Sequence, residues 1–108
     1  MIGVFAAISA AMAVAAGAFG AHGAAGPTEA EWLRTGGIYQ LIHAVAALAI
    51  MGFARGPAIT LLVGAAIFSV TLYAMALGAP KWFGAITPVG GTLLIIGWLW
   101  AAWLYWRA

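Results

Sequence analysis

His22 and His43 are the two side chains in this 108-residue sequence whose ordinary titration range lies near neutral pH. Tyr39, Gln40, Ser69, Tyr73 and Thr87 accompany them, each inside or at the edge of a long apolar stretch. Gln40 and His43 are three residues apart and Ser69 and Tyr73 four, so each pair shares one face of a helix. Two kinds of chemistry fit such a set. One is an interhelical hydrogen-bond network that sets helix order and register, each bond contributing about 0.5–2 kcal/mol. The other is a site for a lipid headgroup, a quinone-like molecule, a metal or a proton, since an intramembrane histidine is a functional hypothesis in its own right.

Metal is the weakest of these. Two imidazoles with no carboxylate or thiol inside the apolar stretches fall short of the three or four ligands zinc requires. A bis-histidine haem fares no better, because His22 and His43 differ in depth by about 10 Å at a rise of 1.5 Å per residue. The chain has no cysteine, hence no disulfide, thiolate ligand or cysteine nucleophile. Histidine offers a general base, but no nucleophile or metal constellation accompanies it, so no enzyme and no cofactor are expected.

The elements that must position these residues follow from charge. Only Glu29, Glu31, Arg34, Arg55, Lys81 and Arg107 are charged, leaving uncharged windows at residues 1–28, 35–54, 56–80 and 82–106. A hydrocarbon core of about 30 Å needs about 20 apolar residues, so each window spans it. With 67% hydrophobic and 6% charged residues, the composition excludes a soluble domain, which averages about 25% charged. The expected fold is all-α: one integral-membrane domain, residues 1–108, of four transmembrane helices in an antiparallel up-down-up-down bundle. A net charge of +2 on scattered basic residues is too dilute for a nucleic-acid partner. The first window lacks a basic n-region and reads as a retained helix, not a signal peptide.

Helix by helix, the first runs from about 2 to 22. Its small residues Ser9, Ala13, Gly17 and Ala21 recur every fourth position, a packing face that predicts this helix to sit more against its neighbours than against lipid. Thr28 and Glu31 form a capping-box pattern that starts a helix near Glu29. This helix is expected to bend at Gly36-Gly37 and to cross the membrane over residues 36–54. Pro57 suits the first position of a third helix reaching about Gly78. Thr87 as N-cap and Pro88 at the first position open a fourth, 87–106. Trp32, Trp82, Trp98, Trp103 and Trp106 read as interfacial anchors, with a partner-docking surface as the sharper alternative.

Depth arranges the polar groups. Toward the face bearing Glu29, Arg34 and Lys81 lie His22, Tyr39, Gln40, His43, Ser69, Tyr73 and Thr87. The half toward Arg55 and Arg107 holds Ser9 alone among obvious hydrogen-bonding side chains well inside the membrane. A polar group in lipid must find a partner, which predicts a network of His43, Gln40, Tyr39, Ser69 and Tyr73 reached by His22. Lysine and arginine counts tie between the two faces, and only the free amine and the lack of acids tip the termini toward the cytoplasm.

At this point the sequence resembles a known family. Gly17-Ala18-Phe19-Gly20-Ala21-His22-Gly23, Tyr39-Gln40 with His43, Phe68-Ser69 with Leu72-Tyr73, and Ile86-Thr87-Pro88-Val89-Gly90-Gly91 ending in Gly97-Trp98 are similar to the domain-of-unknown-function 423 family of small bacterial inner-membrane proteins, relatives of eukaryotic transmembrane protein 256. Where that family usually has Ser-Gly-Ser-Leu-Tyr, this chain has Ser69-Val70-Thr71-Leu72-Tyr73. The resemblance implies a four-span inner-membrane protein without an assigned activity. The expected role is that of an accessory, assembly or structural subunit acting through helix association, its partners being the lipid bilayer and other membrane subunits or further copies of itself. Lipid, small-molecule or ion binding or transport at the polar cluster is the alternative.

Overall fold

The computed structural model describes residues 1–108 and contains four long helices: α1 (Ile2–His22), α2 (Pro27–Ile50), α3 (Arg55–Ala76) and α4 (Thr87–Arg107). A 3-10 turn, Lys81–Ala85, precedes α4. All four are long and apolar enough to cross a membrane. At 1.5 Å per residue the shortest, α1 and α4, measure about 31 Å, the thickness of a hydrocarbon core.

The helix ends depart from the sequence expectations in instructive ways. Gly26, with extended backbone, is the N-cap of α2, and Pro27 takes the first helical position, so Thr28 lies within the first turn and makes no capping hydrogen bond. Proline accounts for this, because its fixed φ and missing N–H suit the first position better than a threonine cap two residues later. The turn before α3 is tighter than expected: Ala54 N donates to Ile50 O, α3 begins at Arg55, and Pro57 becomes its third residue. No bond is lost there, since the first amides of a helix have no intrahelical acceptor. α3 closes after Ala76 with Gly78 at φ +108°, where Ala79 N donates to Ala74 O and Gly78 N to Met75 O, a left-handed glycine cap. Thr87 is the first residue of α4, not its cap; Ile86 caps.

α2 runs unbroken through Gly36-Gly37. The two glycines serve close approach. A Cβ on Gly37 would lie 3.1 Å from Ala13 O on α1, and one on Gly36 would lie 2.6 Å from the Tyr73 ring on α3. α2 therefore wedges between α1 and α3 at a point where neither neighbour leaves room for a side chain. Lipid tails are as apolar as any side chain, so helices in a bilayer gain from such backbone proximity and not from hydrophobic burial. Gly64 and Gly90 do the same between α3 and α4: a Cβ on Gly90 would lie 2.6 Å from Gly64 O.

Neighbouring helices meet in opposite residue order. Gly3 lies by Leu48 and Met51 while Gly20 lies by Leu33; Gly56 lies by Trp100 while Gly64 lies by Gly90 and Leu94. α1 packs on α2, α2 on α3 and α3 on α4, with a minor contact of α1 on α3. α1 and α4 do not meet, and the backbones of α2 and α4 stay apart, so the bundle is an open row with α3 and α2 at its centre. Toward the Arg55 face its interior is apolar apart from Thr60, whose hydroxyl donates to Gly56 O within α3, and is built from Ile2, Ala6, Ala47, Ile50, Ala58 and Leu61 among others.

α1 corrects one expectation. Only Ile2, Ala6 and Ala13 are buried in it, and Gly17 and Ala21 are exposed. Four residues turn an α-helix by about 400°, so a stripe at every fourth position drifts about 40° per step and leaves the interface within two steps. Lying at the end of the row, α1 has one main neighbour and faces lipid elsewhere.

Candidate functional site: a polar layer centred on Gln40 and His43

The glycines just described bring α1, α2 and α3 close enough for short polar side chains to meet. Gln40, 2% exposed, donates from Nε2 to Ser9 Oγ at 3.1 Å and accepts at Oε1 from the Tyr73 hydroxyl at 2.7 Å. One amide thus ties three helices together. Ser69 Oγ donates to Gly36 O at 2.8 Å, a carbonyl left accessible because Gly36 carries no side chain.

His43, three residues on from Gln40 and about 60° round α2, turns to α4 instead of α1. Its Nδ1 lies 2.7 Å from Tyr39 O, and Trp98 Nε1 on α4 donates to its Nε2 at 3.0 Å. An indole N–H is a donor only, so Nε2 is the unprotonated nitrogen and Nδ1 carries the proton that goes to Tyr39 O. The imidazole is neutral, 6% exposed, and both nitrogens are engaged. Its ring packs edge-on to Trp98 at 5.9 Å and parallel to Tyr39 at 6.1 Å, and Tyr39 in turn rests on Phe68 at 4.6 Å. A third link joins α3 to α4, with Thr71 Oγ1 and Thr87 Oγ1 2.7 Å apart. No buried side-chain nitrogen or oxygen lacks a partner.

The structure brings Gln40, Tyr73 and Ser9 into one cluster, His43, Tyr39 and Trp98 into a second, and Thr71 and Thr87 into a third. His22 is in none of them. It is exposed at the end of α1, about 20 Å along the axis from Ser9, which marks the level of Gln40. The two imidazoles therefore offer nothing a shared ligand could bridge.

Two placements differ from the sequence reading. Ser9, assigned to the oily half, is Gln40's partner: α2 ends at Ile50, which puts Gln40 and His43 about 15 and about 10 Å from that end, near mid-membrane. Trp98 is no interfacial anchor, lying about 16 Å along α4 from Thr87 and about 14 Å from Arg107. Counting its depth from Thr87 and asking which donor reaches the second nitrogen of His43 would have pointed to it. Trp32 and Trp82 lie toward the Lys81 face, Trp82 against Phe83, whereas Trp103 lies beneath Arg107 and Trp106 next to it at the other face.

Grooves flank the row on both sides. One of about 540 Å³, between α1 and α3, is apolar except for Ser9 and Gln40 at its floor. The other, of about 510 Å³ between α2 and α4, is lined by Tyr39, His43, Phe68, Pro88, Gly91 and Trp98 among others.

Four apolar spans pinned by an internal polar layer define a small multi-pass integral membrane protein. Over residues 16–91 the sequence matches the family described as "Protein of unknown function (DUF423)", and the chain belongs to that family. It is 42% identical over 103 residues to the UPF0382 membrane protein of Haemophilus influenzae, covering 86% of this chain and 83% of the relative. The UPF0382 inner membrane protein YgdD of Escherichia coli is 38% identical over 109 residues, covering 88% and 81%. A UPF0382 membrane protein of Staphylococcus saprophyticus is 39% identical over 106 residues, covering 89% and 88%. No solved structure matches the chain.

Proposed function

We propose that this chain is a non-catalytic inner-membrane protein that works by lateral helix association, as an accessory or assembly subunit of a larger membrane complex or as a small homo-oligomer. One observation carries this reading: the intramembrane polar groups, the Tyr39 hydroxyl excepted, are engaged with one another inside the chain, while both ends of the helix row stay unpaired. Gln40 and His43 have their hydrogen bonds satisfied by Ser9, Tyr73, Tyr39 and Trp98, so the layer acts as a pin that holds helix order. α1 meets one main neighbour and α4 one, which leaves two flanks of the size and chemistry that helix partners cover. Transport or ion binding at His43 is disfavoured, because an added ligand would have to displace Trp98 or a backbone carbonyl.

In this reading Trp32, Trp82, Trp103 and Trp106 anchor the row at the two interfaces. The termini face the cytoplasm in this reading, on the face that carries Arg55 and Arg107 and no acids.

The chain lacks cysteine, so single cysteines introduced at Ala11 on α1 and Leu99 on α4, both exposed, report neighbours directly. Cross-linking in native membranes should give discrete adducts from at least one of them, with the companion recovered in mild detergent. A chain that is monomeric in detergent and forms no adduct from either position in the membrane overturns the reading.

A further inference from the structure

We propose that the groove between α1 and α3 holds a membrane-dissolved quinone, one of whose carbonyl oxygens accepts a hydrogen bond from the Ser9 hydroxyl. The hydrogen bonds at this groove run in one direction. The Tyr73 hydroxyl donates to Gln40 Oε1, and Gln40 Nε2 donates to Ser9 Oγ. Ser9 gives its own proton to no acceptor in the chain, whereas Thr60, Ser69, Thr71 and Thr92 each give theirs to a backbone carbonyl. Hydrogen bonds in series strengthen one another, so Ser9 ends the chain of donors as a good donor with nothing to bond. A hydroxyl proton left free in hydrocarbon is costly, and an acceptor from outside the chain removes that cost.

Depth narrows the choice of acceptor. Ser9 lies about 10 Å from the Ile2 end of α1, and its partner Gln40 about 15 Å from the Ile50 end of α2, so the free proton is well inside a core about 30 Å thick. Water and the ester carbonyls of lipids stay at or beyond the edge of that core. The acceptors met at this depth are backbone carbonyls of other helices and carbonyls of apolar molecules dissolved in the bilayer. A helix fits poorly. With its side chains it is about 10–12 Å across and carries its carbonyls beneath them, while Ser9 is recessed at the floor among the more exposed Phe5, Ile8, Met12, Val63 and Val70. The one bond in this chain from a side chain to a neighbouring helix's carbonyl, Ser69 to Gly36 O, goes to a glycine. A second copy lying the same way up has Gly64 and Gly97 near this level, and both are buried between α3 and α4.

The groove has the dimensions of a small-molecule site. Its volume of about 540 Å³ falls within the range of about 300–1,000 Å³ usual for such sites. Lined by residues between 2 and 12 of α1 and between 59 and 70 of α3, it extends about 16 Å from the Arg55 face to mid-membrane. Its rim is exposed, so a molecule with an isoprenoid tail enters sideways from the bilayer. The lining is apolar apart from Ser9 and Gln40 and holds no titratable group, so the site offers binding and no proton transfer. A lipid acyl chain would fill the same space and leave the Ser9 proton unpaired. The inference goes beyond the association role proposed above and stands or falls independently of it.

The test uses the whole chain in mild detergent, supplied with menaquinone bearing two isoprene units or with the naphthalene that carries the same methyl group and tail but no oxygens. Retention is read by native mass spectrometry and corrected for partition into empty micelles. The wild type should retain the quinone about 2–10-fold better than the hydrocarbon, the range expected for one hydrogen bond. The carbonyl infrared band of the retained quinone should also lie below its position in empty micelles. Ser9→Ala should erase both the preference and the band shift while still retaining the hydrocarbon. Ala66→Leu, whose longer side chain grows into the groove from an exposed position, should lower retention of both probes. Equal retention of the two probes by the wild type overturns the proposal, and this comparison needs no variant to fold. A preference that survives in Ser9→Ala also overturns it, as does a cross-link in native membranes through Ala66→Cys to a second copy or another protein, which would place a helix in the groove.

Discussion

The indole N–H of Trp98 donates to Nε2 of His43 across 3.0 Å, joining α4 to α2 although the backbones of these helices do not approach one another. α3 separates them, so this bond closes the circuit of α2, α3 and α4 across a gap that the backbones leave open. Its energetic weight is measurable. A double-mutant cycle with Trp98→Phe and His43→Leu, followed by unfolding in mixed micelles, should give a coupling of about 0.5–2 kcal/mol, the range for intramembrane hydrogen bonds. Strictly additive losses would show that the two side chains merely lie near each other.

The same bond dictates a tautomer. Nitrogen-15 spectra of histidine-labelled protein should show His43 neutral with its proton on Nδ1 and an unprotonated, hydrogen-bonded Nε2. In Trp98→Phe that Nε2 signal should move, because the donor is gone. A spectrum with the proton on Nε2 would contradict the geometry.

Within the Gln40 cluster the order of losses follows from what each substitution leaves unpaired. Gln40→Leu strands the Tyr73 hydroxyl and removes the tie to Ser9, and should destabilise by about 1–3 kcal/mol. Tyr73→Phe removes one bond, and Ser9→Ala removes a bond to a residue nearer lipid; each should cost about 0.5–1.5 kcal/mol. Should Ser9→Ala prove the most damaging of the three, the central place of Gln40 would be wrong.

Glycine substitutions should separate into two groups. Gly90→Ala puts a methyl group against Gly64 O and the backbone of Phe68, which no side-chain rotation relieves, and should cost about 1–3 kcal/mol as α3 and α4 are forced apart. Gly17→Ala adds a methyl group with nothing within 4 Å and should change stability by less than about 0.5 kcal/mol. Comparable losses at both positions would contradict the packing described for α3 and α4.

Much of the architecture was legible before any coordinates. Six charges divided the chain into four windows, and four helices occupy them with ends shifted by a few residues. The shifts came from local chemistry that was partly misjudged, since Pro27 and Gly26 displaced the Thr28 cap; Gly36-Gly37, within α2, serve close approach to both neighbours. Tyr39, Gln40, His43, Ser69, Tyr73 and Thr87 were singled out as polar residues needing partners, and Gln40 does meet Tyr73 within that set, whereas Ser9 and Trp98 were not assigned to Gln40 and His43.

That division has a physical cause. Span number and the depth of each residue depend on apolar length and a rise of about 1.5 Å per residue, both one-dimensional properties, so the sequence alone determined them. Which side chains meet depends on how each helix is rotated about its axis and which helix lies beside it. Those choices arise from backbone approach at Gly36, Gly37, Gly64 and Gly90, where small residues permit contact without naming the contact. Only the tertiary structure therefore decided that Ser9 belongs to Gln40, that Trp98 belongs to His43, that His22 stands alone, and that Tyr39 keeps a hydroxyl without a partner in the chain.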